Sequence, residues 1–277
     1  MDRYSVSEFS TLGWTFEEDV VRYSSEGFTG IGVWRQKYSD FDEDSATRVL
    51  HAYGTSVSSL SWAGGFTGNE NLSFEQAIDD SLDAIRTAAT IDAGCLIIHP
   101  GSRRGHTASH ARRLLIRALR EIVPIADDFG VRLAIEPMDR HHASGFTFLH
   151  SIQDTLELLS PYPESTIGLV LDLFQFGHLF DQQTESLSQL ANRIALVQLS
   201  DRTDQTPKAS RCLPGLGIVD IKEWISFFER SGYRGFYEFE VHGRSIESIS
   251  YVQRLRMLSN IASELLSPTS HAIESQE

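Results

Sequence analysis

The chain is short of the features that would place it in several broad classes of protein. It has two cysteines in 277 residues, Cys95 and Cys212. One falls in an apolar run and the other in a loop. Without metal-ligand spacing they exclude a disulfide framework and a thiolate-held metal, and they read as ordinary thiols. No run approaches the roughly 18 apolar residues that a membrane-spanning helix needs. The opening MDRYSVSEFS lacks the basic and apolar stretches of a secretory signal, so a soluble, cytoplasmic protein is expected. Basic residues are few: 24 Lys and Arg against 38 Asp and Glu give a net charge of −14. An acidic surface repels phosphate backbones and lacks the counterion release that drives nucleic-acid binding. Neither nucleic acid nor a membrane is expected as a partner. Local arginines could still hold a small anion.

What is present is an alternation of short apolar runs with longer stretches of helical periodicity. That is the pattern of parallel strands joined by crossover helices. Candidate strands are 4–9, 30–34, 56–62, 95–101, 131–138, 166–172, 193–201 and 235–241. Helices are expected at 15–27, near 43–53, at 73–92, at 109–129, near 148–160, near 184–193, at 219–232 and at 246–266. Thr15 is the expected N-cap of the first, and Gly27 its stop. Eight strand–helix pairs without a linker predict a single (β/α)8 TIM barrel over residues 1–266, with a polar tail at 267–277. The alternative, an open doubly wound sheet, would carry a dinucleotide glycine fingerprint or a P-loop, and neither is found.

In such a barrel, chemistry sits at the C-terminal ends of the strands. Strand five ends in Glu136 and strand six in Asp172; strand seven carries Gln198 near its end, and strand eight ends in Glu240. Ala134, Leu196 and Glu238 lie on the same faces one layer deeper, because side chains alternate along a strand. Taken singly, each acid reads as a rim residue in an ordinary salt bridge. Three carboxylates converging in one pocket repel each other and lose solvation unless something compensates, and a divalent cation is the simplest compensation. Three carboxylates and an amide oxygen form a hard donor set, which favours Mn²⁺ or Mg²⁺ over Zn²⁺.

The segments IIHPGSRRGHT (97–107), GVRLAIEPM (130–138), GLVLDLFQFGH (168–178), IALVQLSDR (194–202), CLPGLGIVD (212–220) and YRGFYEFEV (233–241) resemble the xylose-isomerase-like barrel superfamily, often called sugar phosphate isomerases/epimerases. The resemblance covers about residues 4 to 260. It implies a metal held by Glu136, Asp172, Gln198 and Glu240, with Mn²⁺ expected and Mg²⁺ or Co²⁺ as alternatives. Many relatives have His at the position of Gln198, and some, similar to hydroxypyruvate isomerase, have Gln. Gln175 replaces a His that several sugar epimerases place three residues after the aspartate, which counts against a ketohexose 3-epimerase. The implied substrate, a small keto-sugar or related polyol, has a carbonyl beside a hydroxyl. The cation polarises the carbonyl and stabilises an enediolate, and Glu136 and Glu240 remove and return the proton.

The leading expectation is therefore a divalent-metal-dependent isomerase or epimerase of a sugar, cyclitol or small keto acid. The runner-up is a lyase or dehydratase using the same enediolate, similar to the inosose and dehydroshikimate dehydratases or to enzymes that cleave 3-keto-glycosides. A catalytically idle binding barrel is the third reading, and the intact ligand set argues against it. Substrate contacts are expected from His99, Trp34, Trp62, Gln175, His178, Arg202 and Arg211. Each has a plainer alternative: a structural histidine, core aromatics, solvated arginines. His141 and His142 read as loop residues within reach of substrate. RRGHTASHARR (103–113) reads as a loop and first helical turn with solvated arginines. The related endonuclease IV carries a histidine-rich metal cluster, for which this chain has too few strand-end histidines. Barrels of this family often pair, so a homo-oligomer is a further expectation.

Overall fold

The computed structural model describes residues 2–41, 43–68, 72–143, 145–180, 187 and 191–266. Seven strands come first: β1 (Tyr4–Ser7), β2 (Gly30–Trp34), β3 (Ser56–Gly64), β4 (Leu96–His99), β5 (Leu133–Ile135), β6 (Ile167–Asp172) and β7 (Ile194–Leu199). Two short strands follow, β8 (Asp201–Arg202) and β9 (Arg211–Cys212), then β10 (Tyr237–Phe239). β1 to β7 and β10 close into a parallel barrel, with β10 paired to both β7 and β1. β8 and β9 form a separate antiparallel pair. Closure leaves the barrel without an edge strand.

The helices are α1 (Phe16–Ser25), α2 (Arg35–Tyr38), α3 (Glu43–Tyr53), α4 (Phe74–Thr90), α5 (Ala108–Asp128), α6 (Ile152–Leu159), α7 (Leu173–Phe176), α8 (Ile221–Arg230) and α9 (Tyr251–Leu266). Local chemistry sets their ends. Thr15 and Glu18 form a reciprocal capping box on α1, and Ser73 and Gln76 do the same on α4. α6 starts later than the periodicity predicts because the Ser151 hydroxyl caps it, accepting from the Asp154 N–H. α9 likewise begins at Tyr251 rather than 246, since Ser250 and Gln253 bond reciprocally ahead of it and Arg244–Ile246 is a separate 3-10 turn. The helix expected near 184–193 falls mostly on 184–186 and 188–190, and the tail on 267–277; both lie outside the described residues. Among the described residues no helix is long and apolar enough to cross a membrane.

Two apolar cores result. The larger lies between the strands and the surrounding helices. The smaller fills the barrel: Cys95, Ile97, Ala134, Val170, Ala195 and Leu196. Ala195 and Leu196 are consecutive, yet both pack inward, because the β6–β7 register slips by one residue between Leu169 and Val170. The two cysteines are buried and unpaired, as thiols.

Candidate active site

Four neighbouring strands each deliver one polar side chain to the C-terminal mouth. Asp172 is the last residue of β6 and pairs in register with Gln198 of β7, which pairs in turn with Glu238 of β10. Glu136 and Glu240 stand one residue past the paired parts of β5 and β10. Their backbone N–H groups still reach Ile98 O (3.4 Å) and Leu199 O (3.2 Å). All four are buried, at 3%, 0%, 1% and 8% exposure for Glu136, Asp172, Gln198 and Glu240. Burial on this scale makes each carboxylate depend on specific partners.

Those partners are present. Arg211 grips Asp172 with both ends of its guanidinium, Nη1–Oδ1 at 3.2 Å and Nη2–Oδ2 at 2.6 Å. It also lies 3.4 Å from Glu240 Oε1 and donates to Ser200 Oγ at 2.6 Å. Glu240 Oε2 accepts from Gln198 Nε2 (2.9 Å) and Ser7 Oγ (3.3 Å), and His242 Nε2 is 3.5 Å from its other oxygen. Glu136 Oε2 is 2.7 Å from His99 Nε2. An ionised carboxylate can only accept, so that nitrogen carries the proton, and the buried Nδ1 of His99 has no partner. Gln198 gives its amide nitrogen to Glu238 (3.2 Å) as well as to Glu240, while its Oε1 is buried with no partner. With their partners taken this way, no group of three or more His, Cys, Asp or Glu side chains among the described residues is gathered for a metal ion.

The electrostatics follow. Burial raises the Asp172 carboxyl to about 6; Arg211 works against the shift, while Glu136 and Glu240 add to it. Glu238 rises to about 7 through burial and the charge of Glu240, against hydrogen bonds from Ser59, Ser58 and Gln198. For Glu240 burial also pushes upward, but His242, Arg211 and His99 outweigh it and bring the group down to about 2. At neutral pH Glu240 is therefore ionised.

These groups floor a cavity of about 350 Å³ whose lining includes Glu136, Gln198 and Glu240. Asp172 sits behind Arg211, outside that lining. Of the expected substrate contacts, His99, Trp62, Gln175 and Arg211 line the cavity, as does His142. Gln175 also accepts the Asp139 N–H through Oε1. Trp34, His178 and Arg202 are placed elsewhere. Trp34 stands behind Phe9, ring centroids 5.2 Å apart. Arg202 spends its guanidinium on the carbonyls of Phe174, Asp204 and Thr206 and on His178 Nδ1 (3.1 Å), so both of those residues brace the wall. His141 is exposed.

Phe9, Phe146, Phe174 and His242 also line the cavity and were not expected there. Phe146 packs edge-on against Trp62 (5.4 Å) and His99 (5.3 Å). The Arg211 guanidinium lies 4.7 Å from the Phe174 ring. Phe9, expected at the end of the first strand, lies in the 3-10 turn Glu8–Thr11, Phe174 lies in α7, and Phe146 and His242 stand in connecting segments, so strand periodicity does not say where they point.

Arg211 reaches the site through the β8–β9 hairpin. The sequence reads 193–201 as one strand, but the chain leaves the barrel at Ser200 because of Asp201. Its buried carboxylate accepts backbone N–H bonds from Arg202, Gly215, Gly217 and Val219 at 2.8–3.0 Å. A Cβ on Gly217 would lie 2.2 Å from Arg202 O, so only glycine allows the loop to close that tightly.

A family model described as "Xylose isomerase-like TIM barrel" matches residues 20–261. No curated protein matches the chain. Among solved structures it is similar to protein SMc04130 from Sinorhizobium meliloti 1021, at 23% identity over 95% of both chains with a TM-score of 0.79. It is similar to the IOLI protein with a binding zinc atom, at 17% identity over 96% of this chain and 98% of that one, TM-score 0.80. The D-psicose 3-epimerase of Clostridium cellulolyticum H10, solved with D-tagatose, is similar at 11% identity over 95% and 98%, TM-score 0.75. At these identities the likeness is one of fold.

Proposed function

This chain belongs to the xylose isomerase-like TIM barrel family, and on that premise we propose that it is a divalent-metal-dependent isomerase or epimerase of a sugar, cyclitol or small keto acid. The observation that carries the reading is Gln198 Oε1, a buried amide oxygen without a partner, on a side chain that lines the cavity together with Glu136 and Glu240. Glu238 and Glu240 take the amide nitrogen, so the oxygen is the end left for a ligand. Charge points the same way. Glu136, Asp172 and Glu240 carry three negative charges when ionised, and Arg211 returns one, so a divalent cation balances the remainder.

Glu136, Asp172, Gln198 and Glu240 are the residues that would hold it. When bound, the cation would polarise a substrate carbonyl and ease the build-up of charge on its oxygen. Mn²⁺ suits the oxygen-only set, with Mg²⁺ or Co²⁺ as alternatives. The zinc in the IOLI protein and the sugar in the psicose epimerase are ligands of the kind this reading requires.

The remaining chemistry belongs to the chain. Glu136 and Glu240 enter the cavity from non-adjacent strands, and each can take a proton from the carbon beside a carbonyl or return one to it. His99 holds Glu136 Oε2 in place. Arg211, 3.4 Å from Glu240 Oε1 and in the cavity lining, can face an oxyanion forming over Glu240. The aromatic rings of Trp62 and Phe146 can pack on the apolar face of a small polyol.

Candidate keto-sugars incubated in D₂O with Mn²⁺ should take up deuterium at the carbon next to the carbonyl. Glu136→Gln should slow that uptake by about 10²–10⁴-fold. Release of water or an aglycone without a rearranged sugar would transfer the assignment to a lyase or dehydratase. No exchange and no elimination with any keto-sugar or keto acid would overturn the enzyme reading.

A further inference from the structure

Glu238 lies one layer below the rim, fully buried, and takes no part in the proton transfers above. Three other strands contribute to its accommodation. Ser58 Oγ and Ser59 Oγ both donate to its Oε2 at 2.7 Å. Consecutive residues of a regular strand point to opposite faces. Here the β2–β3 register slips between Ile31 and Gly32, with Ile31 opposite Val57 and Gly32 opposite Ser59, so that Ser58 is the additional residue. The bulge brings both hydroxyls to one oxygen. Gly32 leaves the space: a Cβ there would stand 2.3 Å from Glu238 Oε2. The other oxygen, Oε1, accepts from Gln198 Nε2.

Resting on the proposed metal site, we infer that Glu238 is a positioning residue that locks the Gln198 amide, so that its oxygen rather than its NH2 group is presented to the cation. An amide can rotate by half a turn at little steric cost, and its two ends have opposite polarity. Turned the wrong way, Gln198 would aim N–H dipoles at a positive ion. Two carboxylate acceptors, Glu238 below and Glu240 beside, engage both amide protons and remove that alternative. The pairing of a glutamine ligand with a deep glutamate, two serines and a glycine is thus one device. Outer residues of this kind typically contribute 10- to 100-fold to metal affinity.

The test measures Mn²⁺ affinity by equilibrium dialysis at pH 8 for wild type, Glu238→Leu, Glu238→Gln, Gln198→Glu and the double variant Glu238→Leu/Gln198→Glu, each checked for folding by circular dichroism. Glu238→Leu should weaken Mn²⁺ about tenfold or more. Glu238→Gln keeps an acceptor for Gln198 and should stay within about threefold of wild type, whereas a contribution from charge alone would be lost in both. A carboxylate at 198 has no wrong end. Gln198→Glu should therefore bind poorly beside Glu238 but restore affinity in the Glu238→Leu background, a reversal that general weakening of the barrel would not produce. Should Glu238→Leu fail to fold, loss of affinity in Glu238→Gln would by itself overturn the inference. Wild-type affinity in Glu238→Leu, or no restoration in the double variant, would overturn it while leaving the metal site standing. Absence of Mn²⁺ binding by the wild type would instead refute the metal site itself.

Discussion

Arg211 shows how much a single side chain decides at this site. Its guanidinium lies among three acids, bidentate on Asp172, close to Glu240 and over the Phe174 ring. Two charges buried to this degree are stable only while paired. Arg211→Met should therefore lower stability in EDTA by about 3–5 kcal/mol, and Mn²⁺ should recover much of that loss by giving Asp172 a new counter-charge. Urea denaturation with and without Mn²⁺ reads both effects; equal losses in the two conditions would mean that Asp172 does not meet the cation. The position of Glu136, Asp172, Gln198 and Glu240 at the barrel mouth was open to reading from strand ends, because a barrel presents its last side chains at a common level. Arg211 and Arg202 were not separable from the sequence. Both are arginines beyond strand seven, and only the hairpin determines that one enters the cavity while the other braces its wall.

At the level of elements, the loop after β7 is what carries Arg211 into the site. Asp201 gathers four backbone N–H groups and turns the chain out of the barrel, and β9 then returns Arg211 to the mouth. Asp201→Asn exchanges an acceptor oxygen for an NH2 facing donors. It should cost about 1–3 kcal/mol of stability and lower kcat/KM further than the stability loss explains, because Arg211 loses its anchor; unchanged kcat/KM would separate the hairpin from function. The eight strand–helix alternations were legible because period-2 and period-3.6 patterns are local. The hairpin was not, since its cause is one aspartate bonded to residues up to 18 positions away. α8 illustrates the same limit. Its apolar stripe was visible, but not that Trp224 Nε1 reaches across to Gly177 O at 2.8 Å and ties the turn after β6 to the outer helix layer.

For the whole molecule, the buried acids govern the response to pH. In metal-free protein Asp172 and Glu238 are raised by burial from ordinary values of 3.8 and 4.5 to about 6 and about 7. Folding therefore favours their protonated forms. That stabilisation is complete below the ordinary values and is lost as pH climbs through about 7, on the order of 1–3 kcal/mol for each group. Glu240, lowered to about 2, acts in the opposite sense: its contribution is present above 4.5 and disappears as pH falls through about 2. Urea midpoints in EDTA should fall between pH 5 and pH 8, and Glu238→Gln should flatten the slope. Mn²⁺ favours the ionised forms of its ligands, so in its presence stability should rise over the same interval. The measurement that bears most directly on the central claim is an electron paramagnetic resonance titration of Mn²⁺ into the wild-type chain and Glu240→Gln. A single tight site in the wild type, much weakened in the variant, is the predicted result. Equal binding by both proteins, or none by the wild type, would contradict the assignment of Glu136, Asp172, Gln198 and Glu240 as the metal's ligands.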